Sequence, residues 1–348
     1  MTTNSTSCTV SPASVTGSGS ATLSCTFAAA STVHVGVTGT SGSLSHSVTV
    51  TFVVQDFTIT ASPTSVTVNA GSAGTSSITV TALNGFAGVV SLTTNSTSCT
   101  ISPTSVTGSG SATLSCTFAA ASTVHVGVTG TSGSLSHSVT VTYIVQDFTI
   151  TASPASVTVL AGSAGTSTIT ITGLNGFAGV VSLATNSTSC AVSPTSVTGS
   201  GTSSLSCTFA AASTVHVGVT GTSASLSHSV TVTFVVQDFT VTASPTSITV
   251  NAGTAATSTI TVASQNGFAG VVNLASNSTA CTLTPTSVTG SGSSTLSCTF
   301  TTASTVHVTV TGTSGARSHS ATVTYTVQDF TINASPLSVN FTPGTAAT

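Results

Sequence analysis

VHVGVTGTSASLSHSVTVTFVVQDFTVTASP, residues Val215 to Pro245, carries its apolar residues at every second position. Val215, Val217 and Val219 alternate with His216 and Gly218, and Val230, Val232 and Phe234 alternate with Thr231 and Thr233. A period of two puts one set of side chains on each side of an extended chain, so the stretch reads as successive β-strands with one apolar face. Val and Thr suit a half-buried pleated surface, and Thr keeps the outer side wet without charge. After Val236 and Gln237 the sequence runs directly into Asp238 and Phe239, which begin another strand, with no Gly/Ser or Pro linker between them.

The stretch spans a repeat boundary. Cys8, Cys99, Cys190 and Cys281 are successive steps of 91 residues, and three complete units run Asp56–Gln146, Asp147–Gln237 and Asp238–Gln328. The first two agree at 77 of 91 positions. Residues 1–55 match the latter part of a unit, and residues 329–348 match its beginning. Four whole units would occupy 364 residues against the 348 present, so a fourth copy lacks 16. Within Asp147–Gln237 the alternating pairs are Phe148/Ile150, Val157/Val159, Ile169/Ile171, Val181/Leu183 and Leu205/Cys207/Phe209, followed by the two runs quoted above. Ser-Pro at 153 and 193, Asn-Gly at 175 and Gly-Ser-Gly at 199 punctuate them. Seven or eight short strands in such a length predict an all-β fold of tandem immunoglobulin-like β-sandwiches. Strands that abut without a linker predict a stiff rod.

The chain contains one Arg, no Lys, no Glu and four Asp, so charged residues make up 1% of it. An ordinary soluble domain holds about 25%. Arg317 alone cannot form a basic patch, which excludes nucleic-acid binding by phosphate neutralisation and a polybasic membrane contact. No apolar run is long enough for a transmembrane helix, so no membrane insertion by this chain is expected. Hydroxyls replace charge: 36 of the 91 residues of Asp147–Gln237 are Ser or Thr. Met1-Thr2-Thr3 has no basic or apolar character and is not a signal peptide, so export implies a signal already removed or a chain cut from a longer one.

The eight cysteines form pairs 17 positions apart: Cys8/Cys25, Cys99/Cys116, Cys190/Cys207 and Cys281/Cys298. No C-x-x-C occurs, which argues against zinc, and an even count at fixed spacing reads as disulfides made in an oxidising, extracellular compartment. Cys116 is in phase with Leu114 and Phe118, and Cys99 with Ile101, so both face one core and pair within a domain. No positive charge lies near to favour a reactive thiolate. His125 has outward parity among Val124, Val126 and Val128, whereas His137 has inward parity with Val139 and Val141. Their opposite faces argue against a shared metal site. Single Asp residues at 56, 147, 238 and 329 are too few for calcium and read as caps of backbone N–H groups at the junctions. Ser, His and Asp lack a nucleophile elbow and recur in every copy, so no catalytic residues, metal or cofactor are expected.

Asn4, Asn95, Asn186 and Asn277 each open an Asn-Ser-Thr sequon, and Asn333 and Asn340 add two more. The first four fall in a loop after the strand that holds Val181 and Leu183 in the second unit, where a glycan fits. Attached sugar would also stand in for charge in maintaining colloidal stability.

The motifs DFTITASP, SVTVNAG, ITVTALNGF, SPTSVTGSGSATLS and VTGTSGSLSHSVTV resemble tandem Ig-like repeats of secreted archaeal and bacterial surface proteins, over the whole chain. That resemblance implies an extracellular stalk, adhesin shaft or filament subunit. The sequence therefore predicts a structural subunit of an extracellular filament or cell-surface fibre, with the shaft of a large adhesin as the alternative. Expected partners are attached glycans and copies of the chain itself. Residues 329–348 carry Phe330, Ile332, Val339 and Phe341 in a strand-like pattern, suited to completing residues 1–55 of another copy head to tail. The competing reading of the ends is an arbitrary cut from a longer array.

Overall fold

The computed structural model describes residues 1–335, 337–344 and 346. The unit Asp56–Gln146 builds β1 (Asp56–Ser62), β2 (Ser65–Asn69), β3 (Ala73–Leu83), β4 (Val89–Thr94), β5 (Cys99–Ser102), β6 (Ser105–Thr107), β7 (Gly110–Thr117), β8 (Ser122–Ser132) and the start of β9 (Leu135–Ser153). One sheet has the antiparallel order β5-β7-β3-β1. The other has the order β6-β4-β8-β9, and β2 joins it parallel to β9. The chain changes sheets at Ser62-Pro63, between β1 and β2, where proline cannot donate to a ladder. An edge strand split between two facing sheets, with the last strand central to one of them, is an Ig-like sandwich. Nine strands form where the alternation predicted seven or eight. The extra short one, β6, presents only Val106 to the core, too little pattern to read.

Ile78, Leu114, Val126, Val128, Val141 and Tyr143 are fully buried between the sheets. The outer face of the first sheet is a hydroxyl surface: Thr60 opposes Thr79, Ser62 opposes Ser77, and Ser77 and Thr79 in turn oppose Thr113 and Ser111. These cross-strand rows satisfy β-propensity and solvation together without a charged residue.

The strand β9 is 19 residues long and belongs to two units. Its first part pairs with β8, Val141 opposite Val126, and its second part pairs with the following unit, Ile150 opposite Ile171. Leu226–Ser244 repeats the arrangement at the next boundary. At the first boundary Gln55 separates Leu44–Val54 from Asp56–Ser62. The total accessible surface of 18360 Å² exceeds the roughly 12,600 Å² expected of a globule of this mass. Elongation accounts for the excess, together with the open ends.

Residues 1–55 form a three-stranded sheet (Thr2–Thr3, Ser31–Ser41, Leu44–Val54) and a two-stranded one (Cys8–Ser11, Thr22–Cys25). Val50 is 37% exposed where its counterpart Val141 is fully buried, because no facing strand covers it. Among the described residues of 329–348 no strand forms, and Phe330, Ile332, Val339 and Phe341 are exposed.

Candidate functional site

Each cysteine pair closes across β5 and β7 or their counterparts. Cys99 stands directly opposite Cys116 in the register, and the two are disulfide-bonded with Cα atoms 4.1 Å apart. The same bond joins Cys8 to Cys25, Cys190 to Cys207 and Cys281 to Cys298. The bridge pins an edge strand to its neighbour within one sheet.

The sequon asparagines have a structural task. The Asn95 N–H donates to the Gly127 carbonyl at 3.2 Å, and its Oδ1 accepts the Gly127 N–H at 2.9 Å. The side chain thereby extends the β4–β8 ladder one step beyond Thr94. Asn4 with Gly36, Asn186 with Gly218 and Asn277 with Thr309 repeat the Oδ1 bond at 2.8, 2.9 and 2.9 Å. Oδ1 is the committed atom, and Nδ2, the nitrogen that a glycan would occupy, lies outside that bond. Asn333 and Asn340 are exposed in the terminal stretch.

The most densely bonded region is the junction. The Asn-Gly pair read as an ordinary turn is a clasp between units. Asn175 sits at φ 52°, a left-handed conformation that asparagine tolerates better than most residues. Its Nδ2 donates to the Val145 and Ser122 carbonyls of the preceding unit, both at 2.9 Å, and its Oδ1 accepts from Thr123 Oγ1. Gln146 Nε2 reaches the Gly176 carbonyl at 2.8 Å from the other side. Asn84 with Val54 and Gln55 with Gly85 repeat the clasp at the first boundary. Asn266 with Val236 and Gln237 with Gly267 repeat it at the third. Apolar contact adds to it, since Leu160 of the second unit packs on the core of the third.

Each complete unit also opens on an aspartate that binds back to its own unit. Asp56 Oδ1 accepts the Phe57 N–H and lies 2.8 Å from His137 Nε2, whose ring stands edge-on to Phe57 at 4.8 Å. Asp147 with His228, and Asp238 with His319, have the same geometry at 2.7 and 2.8 Å. The third unit adds Arg317 where the others carry Leu135 and Leu226; its Nε and Nη2 grip both oxygens of Asp238, at 2.6 to 3.0 Å. Burial alone would raise the Asp238 carboxyl, but the hydrogen bonds from Arg317, His319 and the Phe239 N–H outweigh it and hold it below the usual carboxylate range. Asp56 is lowered likewise, with burial opposed by His137 and the Phe57 N–H. Sequence reading treated these Asp and His residues separately. Their constant separation of 81 positions, 56 to 137 and 147 to 228, was the signal that could have joined them.

His125 lies on the outer face, bonded through Nδ1 to Thr142 Oγ1 at 3.0 Å. Among the described residues no three His, Cys, Asp or Glu side chains converge as metal ligands, and no helix is long and apolar enough to cross a membrane.

No protein-family model matches the chain, and no curated protein does. Several solved structures are similar to it. An I-band fragment of titin, I67–I69, is 10% identical with a TM-score of 0.37, covering 79% of this chain and 99% of that one. The D00–D0 domain of intimin is 17% identical with a TM-score of 0.31, covering 52% and 100%. The N-terminal eight Ig domains of Down syndrome cell adhesion molecule are 12% identical with a TM-score of 0.28, covering 88% and 46%. The Ig-like assignment stands on the chain's own strand order and register.

Proposed function

We propose that the chain is the length-generating segment of an extracellular filament or cell-surface fibre of the archaeal and bacterial surface-protein kind. The observation that carries this reading is the strand shared by neighbouring units, Leu135–Ser153 and again Leu226–Ser244. A backbone that leaves one sheet and enters the next without a break, clasped on both sides, transmits direction from unit to unit. Four disulfides suit an oxidising exterior, and glycans on Asn4, Asn95, Asn186 and Asn277 would solubilise a surface that carries almost no charge. Head-to-tail association of copies belongs to the same proposal. The faces that would meet are Val48 and Val50 on one side and Phe330, Ile332, Val339 and Phe341 on the other, all exposed.

The test is electron microscopy of native cell-surface material with an antibody raised against the chain. Label along the whole length of a uniform fibre supports the reading. Label confined to a stalk beneath a distinct terminal head moves the chain to an adhesin shaft, and absence of surface label rejects both. Peptide mass mapping of the native protein tests the glycans: hexose-containing mass on peptides with Asn95 or Asn186 is expected.

A further inference from the structure

Asn-Gly occurs three times in the chain, at Asn84, Asn175 and Asn266, and each time it is the clasp of a boundary. The pair is chemically fragile. Because glycine carries no side chain, its backbone nitrogen reaches the preceding side-chain amide more easily than that of a residue with a Cβ. Attack of the Gly176 nitrogen on Asn175 Cγ forms a new C–N bond, and Nδ2 leaves as ammonia with the proton of the glycine N–H. Water then opens the cyclic imide at either carbonyl and leaves aspartate or isoaspartate. No other reactant is needed.

We propose that these three asparagines are self-modification sites, guarded by the clasp, and that conversion to the acid loosens the boundary each one holds. In the folded chain Nδ2 of Asn175 is tied to the Ser122 and Val145 carbonyls, and Oδ1 to Thr123. Those bonds fix the side chain, so Cγ cannot swing to the Gly176 nitrogen until they break. The guard is unequal. Among the described residues Asn175 makes these three bonds, Asn266 makes two, with Val236 and Thr214, and Asn84 makes one, with Val54. Conversion therefore runs fastest at Asn84 and slowest at Asn175. The product reverses the clasp. An ionised carboxylate only accepts hydrogen bonds, so an oxygen replaces Nδ2 in front of the Val145 and Ser122 carbonyls, with no donor between them. Both carbonyls lose their partner, and no cation is among the groups bonded to the clasp to offset the new charge.

The test ages the purified full chain in warm, mildly alkaline buffer, once native and once unfolded in guanidinium chloride with reductant. Peptides released by pepsin in acid are then mapped by mass. All three sites read Asn-Gly-Phe, so in the unfolded chain they should convert at one common rate. In the native chain Asn175 should slow by about tenfold or more and Asn84 least, at roughly two- to tenfold for each bond that must break. Equal native and unfolded rates at Asn175, or a native order led by Asn175, overturns the guard. Nuclear relaxation of an Asn175→Asp variant reads the consequence: the units on either side of the second boundary should tumble more independently, with an unchanged β-sheet spectrum. The parent chain aged until Asn84 has converted gives the same comparison at the first boundary. Relaxation identical to that of the fresh parent in both cases overturns the loosening.

Discussion

Replacing both Cys190 and Cys207 by serine removes a bridge that pins an edge strand to its neighbour, with the sulfurs in one cross-strand pair. Closing a loop of about 15 residues is worth about 3 kcal/mol in the chain-entropy model. Urea denaturation should show the unit Asp147–Gln237 losing roughly that much while its neighbours change little; a loss below about 1 kcal/mol would mean that the loop is already ordered in the unfolded chain. Asp238 carries the second prediction at this scale. Its carboxyl is lowered on folding, so its contribution is full above the ordinary carboxylate range of about 3.9 and is lost as pH falls through the lower folded value. Stability of the parent should therefore decline below about pH 4, and an Asp238→Asn variant should be flatter over the same interval. Equal slopes in urea titrations between those limits would show that the Arg317 and His319 contacts do not couple to folding.

Among the elements, the strand Ser213–Ser223 shows how closely the sheets pack. A Cβ built on Gly221 would stand 2.9 Å from Val181 Cγ1 and 3.3 Å from Phe148 Cε2, whereas one on Gly218 would meet the exposed side of Asn186 at 3.4 Å. Gly221→Ala should cost about 1–3 kcal/mol by overpacking. Gly218→Ala should be nearly neutral, as the Thr309 at the equivalent place in the third unit indicates. Thermal denaturation of the two variants decides it, and equal effects would contradict the inward and outward assignment of this strand. That assignment was legible in the sequence, because Val215, Val217 and Val219 announce the strand and its buried face by period alone. Cysteine phase likewise put both sulfurs of a pair on one face. The Asn175-Gly176 clasp was not legible, since an Asn-Gly turn has the same local signature whether its amide meets water or the carbonyls of another unit. The Asp–His pairs were hidden for a similar reason: partners 81 positions apart meet only once the sandwich has closed.

Over the whole molecule, the shared strands and the clasps should add to one mechanical property. Asn175→Gly keeps the left-handed turn accessible but deletes the three side-chain bonds made at the second boundary. Its units should melt as before, while nuclear relaxation should show the units on either side of that boundary tumbling more independently. Unchanged relaxation would assign the stiffness to the shared strand alone. The claim on which the rest depends is the rod itself. Strands of 11 residues such as Ser122–Ser132 give each unit a length of about 37 Å, so three units and the partial first one reach roughly 130 Å. Small-angle X-ray scattering of the purified chain at neutral pH should give a radius of gyration near roughly 38 Å, with a pair-distance distribution skewed to long distances. A value near the roughly 20 Å of a compact globule of this length, or a distribution broadened by freely moving units, would contradict it.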